Sequence, residues 1–295
     1  MRAPKTALFR LWLLTALVAT SCVREDTDKC VQYALDIRAV DVEGNDLTGS
    51  GVLSKTDIYL FNEDGFVRMV PEGFSSDYLF GEDKSRKLTL IAWGNLKEDT
   101  LSTTPITPGT SIGQARLQLR QQTPKGHLPV TDLFYCYKEL NAVTVTRSVQ
   151  EENIVLVMER AVAGMSIRTR YLSERYPYTG EPFYFIVRST GTEVDFTGGI
   201  TGETASYRPV SVTNKSGDVY APPFHLLPTG EGQHIEIDIY QNEQKLCTID
   251  EDNEFNPIQA PAGKQTNVEI DCRYVKMKVV TNIVPWGEIS QDTEM

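Results

Sequence analysis

The 295-residue chain carries 40 acidic against 29 basic residues, a formal charge of −11. That balance argues against a nucleic-acid partner and against docking on anionic lipid by charge alone. The length is ample for one large core, and two domains are the more common solution.

The elements begin with Arg2, Lys5 and Arg10, followed by an apolar run from Leu11 to Ala19 broken only by Thr15. This is the layout of a bacterial secretion signal, too short to span a membrane. It runs into Leu17-Val18-Ala19-Thr20-Ser21-Cys22, which resembles the lipobox cut by a lipoprotein signal peptidase. The resemblance implies a signal peptide over 1–21, with Cys22 as the first mature residue and carrier of acyl chains. Each buried methylene of such chains adds about 0.8 kcal/mol of membrane binding. A lipidated tether over 22–30 follows, and its Glu25, Asp26 and Asp28 resemble the surface-export signal of Bacteroidetes lipoproteins. An ordinary solvated tether is the plainer alternative. Cleavage removes three basic residues, leaving 26 against 40 acidic and a formal charge of −14.

Four cysteines remain beyond Cys22: Cys30, Cys136, Cys247 and Cys272. An even number in an exported chain permits disulfides, and proximity in sequence suggests Cys30 with Cys136 and Cys247 with Cys272. Free buried thiols are the alternative.

Period-two alternation starts after the tether, with Tyr33, Leu35, Ile37 and Ala39 on one face and Asp36 and Arg38 between them, which predicts a half-buried strand. Asp57 to Phe61 and Phe66 to Val70 flank Asp64-Gly65 and predict a hairpin. Further strands are expected at Leu88–Trp93, Leu117–Leu119, Leu133–Tyr137, Ala142–Val145 and Ile154–Met158. A second series runs through Gly164–Thr169, Phe183–Val187, Ile235–Tyr240, Lys245–Ile249, Asn267–Ile270 and Val275–Val280. Short strands separated by turn residues, with no amphipathic helix of three turns, predict an all-β chain built of sandwiches. The pattern pauses at Glu159–Gly164, which suggests an N-terminal domain over 31–159 and a C-terminal domain over 160–295.

Taken together, several of these segments resemble one family. Asp57-Ile58-Tyr59-Leu60-Phe61-Asn62, Leu90-Ile91-Ala92-Trp93-Gly94-Asn95, Asp132-Leu133-Phe134-Tyr135 and the Ile154–Ser166 stretch with its Glu159-Arg160 joint are similar to the fimbrillin-associated proteins of Bacteroidetes. Within them, the FimB-like (minor-fimbria) anchor lipoproteins match best. The resemblance implies two transthyretin-like antiparallel β-sandwich domains, attachment to the outer membrane with the protein facing outward, and a place at the base of a type V pilus. There it would hold the fibre and limit its length, with shaft pilin subunits as partners.

In the shaft pilins of this superfamily an arginine-specific protease removes the first strand and a neighbour's strand fills the groove, which is β-augmentation. The resemblance therefore implies that an anchor retains its own first strand, here the one bearing Tyr33, Leu35, Ile37 and Ala39. Cleavage at Arg24 or Arg38 would instead indicate a stalk or tip pilin. The segment bearing Val275, Met277, Val279, Ile283 and Trp286 resembles the family's C-terminal strand ending in tryptophan. It either closes the second sandwich or is donated to the first shaft subunit, and closure is favoured because strands usually pair within their own sheet.

Residues of catalytic type are sparse. Gly109-Thr110-Ser111-Ile112-Gly113 matches the nucleophile-elbow pattern, but Pro105 and Pro108 precede it and a strand follows, so a hydrolase is not expected. His127, His225 and His234 are isolated, so neither a metal site nor a cofactor is expected. Asp250–Glu254 reads as a solvated acidic loop. Tyr176, Tyr178, Phe183 and Tyr184 read as core, with a sugar-stacking face, and hence a glycan-binding adhesin, as the alternative.

Overall fold

The computed structural model describes residues 30–71, 79–83, 86–97, 99–123, 126–140, 151–188 and 191–286. The expected signal peptide, Cys22, Arg24 and the strand at Ala142–Val145 lie outside them.

Strands are numbered in chain order. The first sheet joins β1 (Cys30–Val40), β2 (Thr56–Asn62), β3 (Gly65–Met69), β4 (Leu79–Asp83), β5 (Leu88–Gly94), β10 (Phe134–Leu140) and β11 (Glu151–Arg160), in the order β3-β2-β5-β10-β11-β1-β4. The second joins β12 (Ala163–Arg170), β17 (Val212–Thr213), β18 (Val219–Leu226), β21 (Lys264–Asp271) and β22 (Lys278–Pro285), in the order β17-β18-β12-β21-β22. The third joins β8 (Gln121–Thr123), β9 (Gly126–His127), β13 (Phe183–Arg188), β16 (Ser206–Tyr207), β19 (Glu236–Gln241) and β20 (Gln244–Ile249). The fourth is small, with β6 (Leu101–Thr103), β7 (Arg116–Leu119), β14 (Glu193–Asp195) and β15 (Ile200–Thr201) in the order β15-β14-β7-β6. The fold is all-β, as expected. Most pairings are antiparallel, but β1 with β11, β12 with β21 and β9 with β16 run parallel.

Side-chain alternation explains how β2 and β5 of the first sheet are buried on both faces. Ile58, Leu60, Leu88, Leu90 and Ala92 point into one apolar cluster, together with Tyr33, Leu35 and Ala39 from β1. Their neighbours Tyr59, Phe61, Ile91 and Trp93 point the other way, into a second cluster that continues through Leu117 and Leu119 into Phe185, Ile237 and Val268. A strand buried on both faces has no polar side, which is why β2 and β5 read as unbroken apolar runs. The two outer strands of this sheet meet across it: Arg68 of β3 pairs with Glu82 of β4 and lies over the Phe80 ring at 5.4 Å.

Sheet membership crosses the division expected at 159/160. β7 pairs with β14, and β9 with β16, so two sheets mix strands from both halves. Phe196, on the turn between β14 and β15, plugs the outer face of the first sheet, 4.9 Å from Tyr59 and 5.9 Å from Trp93 between ring centroids. Tyr135 Oη donates to the Phe196 carbonyl at 2.8 Å. Period-two patterning reveals strands but not their partners, and β6, β9 and β15 are too short to carry a pattern.

Candidate functional site

The expected first strand is β1, and it lies inside its sheet. Nine residues, Gln32 to Val40, pair in parallel with Glu151 to Glu159, while Cys30 to Ala34 pair on the other side with β4. Beyond β4, Ala39 N–H donates to Thr48 Oγ1 at 3.0 Å and its carbonyl accepts from Leu47 N–H at 2.8 Å. Tyr33, Leu35 and Ala39 are buried and Ile37 is partly so. Burial and the nearby Glu152 and Glu82 carboxylates push the Tyr33 phenol up. Arg38 projects from the opposite face, exposed and paired with Asp36 at 2.7 Å, while its backbone is laddered against Val157.

The last strand, β22, forms one edge of the second sheet, pairing with β21 from Lys264↔Pro285 to Asp271↔Lys278. It begins later than the sequence predicts. Arg175, on a one-turn helix (Leu172–Arg175), donates to the carbonyls of Tyr274 at 2.6 Å and Val275 at 3.1 Å, which holds this segment in a turn. Val275 therefore stands 97 % exposed in that turn and Met277 packs at its end; of the five expected strand residues, Val279 and Ile283 lie in β22 and Trp286 directly follows it.

Two clamps hold β22. At its start, Asn253 N–H donates to the Val279 carbonyl at 3.0 Å and Asn253 Oδ1 accepts from Val279 N–H at 2.8 Å. The expected acidic loop is thus a cover for a sheet edge. Asp252 shapes it by accepting from Glu254 N–H and Asn256 N–H, bonds that hold its carboxyl below the usual range. At the far end, Pro285 has no N–H to offer a further strand.

Trp286 then packs at the seam between the two halves. Arg160 is gripped by Asp132, with Nε 3.0 and 3.1 Å from the two carboxylate oxygens. Its guanidinium lies between the rings of Phe134 at 5.1 Å and Trp286 at 5.0 Å. The His225 ring is 4.7 Å from the indole, and burial pushes His225 down. Gly164 makes room: a Cβ there would sit 2.7 Å from the indole and 2.2 Å from Gln265 Oε1. A glycine opening a strand is a sign of close approach, so this position was readable in the sequence; Asn253 gives no such sign.

The remaining candidate residues do not assemble. Cys136, Cys247 and Cys272 are free thiols, so the Cys247–Cys272 pairing is not formed. Register separates the other pair: Tyr135 faces Glu159, which faces Val40, and Cys30 lies at the opposite end of β1. Ten residues of strand place it roughly 30 Å away, far beyond disulfide reach. Burial pushes Cys136 up to about 11 and Cys272 up to about 12.

Ser111 caps a single 3₁₀ turn and donates to Gln114 Oε1 at 3.0 Å, while Gly109 and Thr110 clasp the β2–β3 hairpin through Phe66. No strand leads into it, so the elbow geometry is not formed. His127 meets the Ser206 carbonyl and His234 neighbours Glu236, away from Ser111 and from each other. Phe183 and Tyr184 are both buried, on opposite faces of β13; the Phe183 ring lies 6.1 Å from that of Tyr178, so Tyr184 does not share a face with that pair.

Residues 24–292 match the sequence family described as fimbrillin-A associated anchor proteins Mfa1 and Mfa2. The chain belongs to this family. The major fimbrium anchoring subunit FimB of Porphyromonas gingivalis strain W83 is 24 % identical over 307 residues, covering 99 % of each chain. The same subunit in strain ATCC 33277 is equally similar. The solved fimbrial anchor protein Mfa2 from P. gingivalis shares the fold with a TM-score of 0.63 at 14 % identity, covering 87 % of this chain and 98 % of that one. These relatives bear out the resemblance to FimB-like anchor proteins, and their name assigns them to the major fimbrium.

Proposed function

We propose that this chain is a cell-surface lipoprotein that anchors a type V fimbrium to the outer membrane and limits its length. Acyl chains on Cys22 hold one end to the membrane, and the domains face outward toward the first shaft pilin. The observation that carries the reading is the interior position of β1. A strand laddered on both sides, with three buried side chains, ties everything before it to the folded body. A protein processed like a shaft pilin would have to give that strand up, and its lipid with it.

β22 acts as the closing strand of its own sheet, because Asn253 and the Arg160–Trp286 contact fix both ends. Strand sharing with the shaft requires undoing those clamps, so donation happens only on engagement of the pilin. Deleting the gene and imaging the cells tests the role. Long fibres shed into the medium are expected; attached fibres of normal length would overturn it.

A further inference from the structure

Beside the edge strand β6 opens a cleft of about 220 Å³ lined by Leu96, Lys97, Leu101, Ser102, Thr103 and Arg120. Lys97 and Arg120 both line it, and among the described residues neither has a carboxylate partner. Elsewhere in the chain Arg68, Arg116, Arg160, Arg188 and Lys276 are all paired. The backbone fixes the two relative to each other: Arg120 N–H donates to the Thr100 carbonyl at 2.9 Å, and Leu101 N–H to the Lys97 carbonyl at 3.1 Å. Thr100, between them in this network, is buried, and its hydroxyl has no hydrogen-bond partner. In a chain of net charge −11, Lys97 and Arg120 line one concavity without a carboxylate partner among the described residues.

We propose that this cleft binds a carboxylate-bearing sugar, a single hexuronic acid unit. An arginine fork with a lysine beside it suits a carboxylate. Leu96 offers an apolar wall for the C–H face of a ring, and Ser102, on the face of β6 opposite the buried Leu101, offers a hydroxyl to the ring's hydroxyls. The volume lies below the roughly 300–1,000 Å³ of pockets for drug-sized molecules, which suits one ring. The proposal is independent of the anchoring role, since β6 belongs to neither clamp nor first strand.

Isothermal titration of the full-length protein in detergent with glucuronate, glucose and inorganic phosphate tests it. Glucuronate should bind, with glucose and phosphate each at least about tenfold weaker, because a charge-assisted bond is lost with one and the ring contacts with the other. Lys97→Gln with Arg120→Gln should weaken glucuronate by about tenfold or more while the melting temperature stays unchanged. Equal binding of glucose, equal binding of phosphate, no binding of glucuronate, or full affinity in the double variant would each overturn it.

Discussion

Strand β1 lies inside a seven-stranded sheet, one strand in from its β4 edge, whereas β22 lies at the rim of a five-stranded one. The first is held by β11 from Gln32 to Val40, by β4 from Cys30 to Ala34 and by a buried face. The second has one neighbour, β21, along its length and a clamp at each end, with Val280 and Ile283 exposed between the clamps. An interior strand leaves only with the fold, but a rim strand can leave by releasing a few contacts. On the proposed reading these two strands have different fates, one permanent and one releasable.

The largest expected effect comes from attacking the permanent end. Leu35→Ala removes a fully buried side chain and should cost about 2–5 kcal/mol in urea unfolding. It should also expose Arg38 to an arginine-specific protease that leaves the wild-type strand intact. A variant as stable and as resistant as wild type would erase the distinction between the two strands.

Trp286→Ala attacks the releasable end and should cost about 1–2 kcal/mol, the scale of a desolvated cation–π contact. Amide exchange should quicken over 279–284 and stay unchanged in β1. Asn253→Ala should act on the same amides with about 1 kcal/mol, the net worth of a hydrogen bond. Uniform quickening across both sheets would mean that β22 unfolds only with the whole molecule.

Acid should loosen the Trp286 seam. Burial, aided by Arg160 and opposed by Asp132, holds His225 below its ordinary range, so it is neutral when folded. The unfolded chain takes up that proton near pH 6.5. This contribution to stability is complete above that pH and is lost as pH falls below it toward the depressed folded value. Replacing His225 by Gln should flatten the stability profile between pH 7 and 5, and an unchanged profile would remove His225 from the account. Smallest of all, Arg38→Gln breaks an exposed pair with Asp36 and should change stability by less than about 0.5 kcal/mol.

The same contrast explains what was legible in the sequence. β1, β2 and β5 stand in the residues because alternation and burial write themselves into each strand; Leu35 beside Asp36 is such a mark. β22 is less legible in the sequence, since its geometry depends on residues far away. Arg175 delays β22 by binding carbonyls a hundred positions on, and Asn253 covers an edge that nothing near it announces. At the expected joint, Glu159–Gly164, β11 runs to Arg160 and β12 starts at Ala163, leaving two residues between them. Phe196 and β7 nevertheless bind the halves across it, through contacts that no local pattern encodes.

The most direct measurement is the N-terminal sequence and mass of the protein recovered from the surface of its own cells. The account predicts an acylated Cys22 followed by an uncut chain through Arg24 and Arg38. A mature protein starting at Glu25 or Ala39, free of lipid, would contradict it.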